Sequence, residues 1–147
     1  MAIRKIVQDT EFLRKSSKPV TEFDERLHEL LDDMAGTLDD VGGIGLAAVQ
    51  VGVLYRVCLI QVGGAYLELV NPEIISTKGE KKGEEGCLSL PKQWLKIARP
   101  TKVTVRAYDR HGNPFTRVLQ KLHAVCACHE IDHLNGVLMT DREGELS

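Results

Sequence analysis

The chain has 147 residues, of which 43% are apolar and 27% charged, and its formal net charge is −2. That length suits one domain spanning residues 1–147, able to bury roughly two thirds of the surface its unfolded chain exposes. A mildly acidic chain with no concentrated basic face is not built for direct nucleic-acid binding. No apolar run approaches the roughly 20 residues of a bilayer span, so no membrane partner is expected.

The N-terminal "MAIRKIVQDTEFLRK" lacks the apolar core of a signal peptide, which points to the cytoplasm. In that compartment Cys58, Cys87, Cys126 and Cys128 are thiols or ligands rather than disulfide partners. Residues 24–40 place Leu27, Leu30, Leu31, Met34 and Leu38 at helical spacing, with Asp24 as N-cap. "GGIGLAA" then breaks the helix. Residues 55–62 and 65–70 read as buried strands. "KGEKKGEE" at 78–85 mixes charges of both signs and reads as a solvated loop. Residues 101–109 alternate as a strand, "DRHGNP" turns, and "FTRVLQ" returns. Residues 121–135 read as a second helix with Gly136 in the stop position. Strands outnumber helices without regular βαβ alternation. The expected class is α+β: mostly antiparallel sheet around a central metal-binding helix, with an N-terminal helix.

The chemistry gathers in "CACHEIDH", residues 126–133. Residues four apart share a helix face, so His129 and His133 can point at one ion, with Glu130 beside them to handle protons of a bound water. Two solvated histidines on a surface helix are the bland alternative, and the apolar lead-in "LHAVCA" argues against it. A zinc peptidase is the first reading of such a helix. However, the residues after His133 contain no histidine and leave little chain for a further ligand helix. The third ligand is therefore upstream or absent. Cys126 lies a turn back and reads as a lining residue. Cys128 is rotated about 100° from His129, and Cys58 sits in an apolar strand as core. Cys87, in "GEEGCLSLP", is flanked by glycine and polar residues, and its thiolate would complete a Cys-His-His site with one open position. "GGIGLAAVQVG" superficially fits a dinucleotide fingerprint, but it follows a helix and leads into strand-like sequence. It reads instead as a loop that lets a ligand approach closely, with the Gln50 amide nearby.

Three segments together resemble the peptide deformylases, whose motifs are G-x-G-L-A-A-x-Q, E-G-C-L-S and H-E-x-D-H. Here they read "GIGLAAVQ" (43–50), "EGCLS" (85–89) and "HEIDH" (129–133), in the same order. "FLRKSSKPV" and "VTVRAYDRHGNPF" add to a resemblance that covers essentially the whole chain. It implies a metallo-hydrolase that removes the formyl group from N-formylmethionyl nascent peptides. Cys87, His129 and His133 would bind one divalent metal ion, normally Fe2+, with Zn2+, Ni2+ or Co2+ as substitutes. Glu130 would be the acid/base, and Gln50 with the Leu88 backbone N–H would stabilise the oxyanion. Ile44, Leu122, Val125 and Cys126 would receive the methionine side chain. Ile44, Gly45 and Gly86 would pair with the extended peptide.

Two positions depart from the family pattern: Cys128 stands where glutamine is frequent, and Trp94 where arginine is frequent, suggesting an apolar rim. The chain reads as a short form without the long C-terminal helix tied to ribosome docking, so weak or altered ribosome association is expected. Nothing in the sequence demands more than a monomer. The competing reading is a non-catalytic metal-binding paralogue, against which Glu130 and Gln50 argue, since a structural metal site needs neither.

Overall fold

The computed structural model describes residues 2–142. After a single helical turn α1 (Thr10–Leu13) comes α2 (Glu25–Val41), the helix expected at 24–40. Asp24 caps it by accepting a hydrogen bond from the Leu27 N–H, and Gly42 ends it at φ +69°, a left-handed turn that only glycine adopts cheaply. Leu27, Leu30, Leu31, Met34 and Leu38 are buried along one face, each worth about 1.5–3 kcal/mol relative to exposure. The same helix anchors the N-terminal segment: Asp33 accepts from the Ala2 N–H at 2.8 Å, and the Thr37 hydroxyl accepts from the Arg4 N–H at 2.8 Å.

Seven strands follow: β1 (Gly45–Ala47), β2 (Val57–Val62), β3 (Ala65–Lys78), β4 (Lys81–Cys87), β5 (Leu90–Arg99), β6 (Lys102–Tyr108) and β7 (Pro114–Gln120). Five form a sheet in the order β1-β2-β3-β6-β7, while β4 and β5 form a separate hairpin. All the pairings between these strands are antiparallel. A 3₁₀ turn (Ala48–Val51) joins β1 to β2, and α3 (Leu122–Leu134) and a short α4 (Met139–Arg142) are the last elements of the described residues.

The strand alternation of two divides the core. Cys58 and Ile60 of β2, Ala47 of β1 and Leu69 of β3 pack with Ala124, Ala127, Ile131 and Leu134 of α3. Val57, Leu59, Leu46 and Val70 pack with α2 on the other face. A strand covered on both faces reads as a continuous apolar run, which is why "VCLIQV" is legible. A third cluster of Leu90, Ile97 and Met139 seats α4 on the hairpin. The α+β arrangement of antiparallel strands around a central helix is the expected one. One reading is corrected: residues 78–85 are the end of β3, a turn and most of β4. Lys81 to Glu84 are all exposed, so no apolar alternation marks them, and pairing of Lys81 with Arg99 and of Glu84 with Lys96 makes the strand.

Candidate functional site

Helix α3 enters the middle of the molecule, with every residue from Cys126 to Leu134 buried. His129 and His133, one turn apart, place their rings 4.9 Å between centroids in a near edge-on arrangement. Cys87 ends β4 at the tip of the hairpin and brings its Sγ to 3.3 Å from His133 Nε2. One ligand atom from each of Cys87, His129 and His133 lies within 4.8 Å of the other two. A tetrahedral ion bound by sulfur and nitrogen at roughly 2.0–2.3 Å holds its ligands roughly 3.5 Å apart, so a thiolate and two imidazoles in this arrangement suit one transition-metal ion with an open position.

Behind this trio runs a charged network. Glu85 Oε1 meets His129 Nδ1 at 2.9 Å, leaving Nε2 to face Cys87. Arg99 grips Glu85 with two hydrogen bonds of 2.8 and 2.9 Å, and donates to Asp132 at 2.6 Å. Arg142 completes the chain with bonds of 3.0 and 2.9 Å to Asp132. Burial alone would raise the Glu85 pKa, but the bonds from His129 and Arg99 outweigh it and hold it at about 2. Burial likewise opposes charge on His129, yet Cys87 and Glu85 hold its pKa up at about 10. His133 is pushed down to about 3, by burial first and then by the positive charges of His129 and Arg99.

Glu130 is 4% exposed, and burial pushes its pKa up to about 7. Its Oε1 meets no hydrogen-bond partner among the described residues. Its Oε2 lies against β1: a Cβ added at Gly45 would stand 2.5 Å from that oxygen and 2.6 Å from Cys126 Sγ. The Cys126 thiol donates to the Ile44 carbonyl at 3.3 Å, and burial raises its pKa well above the ordinary thiol value. Gln50 is 1% exposed and doubly tethered. Its Oε1 accepts from the Ala47 N–H at 2.9 Å, while Nε2 donates to Ser89 Oγ at 3.2 Å and points to Cys87 Sγ at 3.6 Å.

These groups share a cleft of about 490 Å³. Ile44, Gly45, Gly86, Leu122, Val125 and Cys126 all line it, as do Gln50, Cys87, Leu88, His129 and Glu130. Cys58 is fully buried core and Cys128 is buried away from the trio, with its pKa raised to about 11 by burial. Sequence reasoning did not single out Glu85, Ser89, Arg99 or Asp132. The available signal for Glu85 was its place two residues before Cys87, which in a strand puts both on one side; reading the segment as loop hid it.

Residues 3–147 match the family described as Polypeptide deformylase. A peptide deformylase of Caldicellulosiruptor bescii is 52% identical over 97% of this chain and 86% of its own length. One from Acetivibrio thermocellus is 51% identical over 97% and 84%. The crystal structure of a peptide deformylase from Legionella pneumophila superposes with a TM-score of 0.94 at 48% identity, covering 98% of this chain and 88% of that one. The Thermotoga maritima structure gives 0.93 at 37% identity, covering 98% and 99%. By its sequence and by its fold, the chain belongs to the polypeptide deformylase family and is a hydrolase of that kind.

Proposed function

We propose that this enzyme removes the formyl group from N-formylmethionyl nascent peptides and releases formate. The observation that carries the reading is the cluster of Cys87, His129 and His133 beside the buried carboxyl group of Glu130, whose Oε1 has no hydrogen-bond partner among the described residues. The three ligands would hold one divalent ion, Fe2+ by family resemblance, which when bound supplies Lewis acidity toward water and the formyl oxygen. Glu130 takes the proton of the attacking water and returns it to the leaving amine. The Gln50 amide, fixed by Ala47 and Ser89, and the Leu88 N–H donate to the oxygen on which negative charge develops. The edge of β1 at Ile44 and Gly45, with Gly86 opposite, receives the peptide backbone in extended form. Leu122, Val125 and Cys126 supply apolar surface for the methionine side chain.

The test is formate release from formyl-Met-Ala-Ser by anaerobically prepared, iron-loaded protein. Wild type should release formate and leave unformylated Met-Ala-Ser intact. Cys87→Ala should lose metal and activity together. Glu130→Gln should keep its metal and lose roughly 10²–10⁴-fold in turnover. Folded, metal-loaded protein that releases no formate would point instead to a non-catalytic paralogue.

A further inference from the structure

Another cavity, of about 470 Å³, lies between the β4–β5 hairpin and the start of α3. It shares Glu85, Leu122 and Val125 with the cleft but none of the candidate metal ligands. Ile97, Pro100, Leu122 and Val125 give it apolar walls, and the exposed Lys81, Lys82 and Lys121 line it as well. None of these lysines forms an ion pair among the described residues. Of the two carboxylates lining the cavity, Glu85 is taken up by His129 and Arg99, which leaves Glu84 against three cations. Cations gathered at a concavity with low-dielectric walls attract an anion into it. Gly83, on β4, supplies a second observation. Glycine weakens a strand, and where it is kept it often marks close approach by a ligand or another backbone. For two other glycines the approaching group is in view: an added Cβ would meet Glu130 and Cys126 at Gly45, and the Trp94 ring at 2.9 Å at Gly86. At Gly83 it would meet nothing within 4 Å, and the backbone is not left-handed there. No described protein atom accounts for the missing side chain. Alternation along β4 puts that open space on the same face as Glu85, and Gly83 lines the cavity.

We propose that this cavity is a binding site for a small amphipathic organic anion. Lys81, Lys82 and Lys121 hold the anionic head, and the apolar body lies over Gly83 against Ile97, Pro100, Leu122 and Val125. The volume is ordinary for a small-molecule site. An inorganic anion would leave the apolar walls uncovered, and a neutral apolar molecule would leave the lysines uncompensated. A nucleic-acid strand tracks an extended basic groove, whereas these lysines line a concavity. Cys87, His129, Gln50 and Glu130 take no part in the lining, so the site is separate from the one proposed for the formylated peptide.

The experiment titrates zinc-loaded protein with octanesulfonate and follows the backbone amide signals by NMR. A sulfonate stays ionised at neutral pH and is a poor metal ligand, so the metal position does not compete for it. Wild type should show saturable shifts at Lys81, Lys82, Gly83, Ile97, Thr101 and Lys121, with Ile44, Gly45 and Trp94 unmoved. Inorganic sulfate, which has the head without the body, should bind at least about tenfold more weakly, since burying two methylenes already accounts for that factor. The triple variant Lys81→Gln, Lys82→Gln, Lys121→Gln should bind about tenfold more weakly than wild type. All three positions are exposed, so the fold should survive the change. Gly83→Phe, which puts a ring into the open space, should abolish the saturable shifts; if that variant fails to fold, the lysine variant decides alone. No saturable shifts in wild type, shifts confined to the cleft, or wild-type binding by the lysine variant would overturn the site. Tighter binding of an oligouridylate than of octanesulfonate at the same amides would mean that the lysines serve a polyanion, and would overturn it equally.

Discussion

Glu130 is buried with one oxygen unpartnered among the described residues, and that arrangement costs stability once the group ionises. Its pKa rises from 4.5 to about 7, chiefly through burial. Between these values the unfolded chain has released a proton that the folded chain keeps, so stability falls as pH rises through the window, and the loss is complete above about pH 7. Glu130→Gln lacks this titration. In chelator-treated protein, the melting temperature of Glu130→Gln minus that of wild type should be smallest near pH 4.5 and widen toward pH 7. A difference that stays flat across that range would contradict the burial argument. At this scale His129, Glu130 and His133 are suggested by helical spacing and Cys87 by its polar setting, whereas the role of Gln50 comes only with the family resemblance. Glu85 and Arg99 were not. A buried charge is recognisable only through its partner, and Arg99 finds its partners 14 and 33 residues away in sequence.

At the scale of elements, the approach of the edge strand β1 to helix α3 depends on Gly45 having no side chain. Gly45→Ala would drive a methyl group against Glu130 Oε2 and Cys126 Sγ, both of which sit on the buried stretch of α3 from Cys126 to Leu134. Overpacking of this kind typically costs about 1–3 kcal/mol. Urea denaturation should show that loss, and formate release should fall in the same variant because the displaced group is Glu130. Gly45→Ala with wild-type stability and full activity would show that β1 can retreat freely. Helices α2 and α3 were legible from their apolar spacing and stop glycines, and β2 from its continuous apolar run. The β4–β5 hairpin was not, because its outward residues are charged and its pairing is decided by the partner strand.

Across the whole molecule, the cleft is a junction between parts that the backbone does not hold together. The β4–β5 hairpin belongs to no other sheet, and Arg99 ties it to α3 through Glu85 and Asp132, with Arg142 joining from α4. Arg99→Met would leave Glu85 without its guanidinium partner and Asp132 with Arg142 in place of both arginines, and breaking a buried ion network on one side costs about 3–5 kcal/mol. The variant should melt well below wild type. Its metal affinity should drop roughly 10–100-fold, because Glu85 would no longer be held against His129; unchanged affinity would mean that Glu85 orients the ring unaided. The placement of the three candidate ligands carries a mechanical consequence. Cys87 belongs to the hairpin, His129 and His133 to the helix, so an ion bound by all three would rivet one wall of the cleft to the other. Chelation would then unfasten a seam as well as stop a reaction. Amide hydrogen exchange should speed up across residues 81–99 on metal removal while α2 stays as protected as before. Stripping the metal would open the wall that carries Trp94 before it loosened the core that carries the fold.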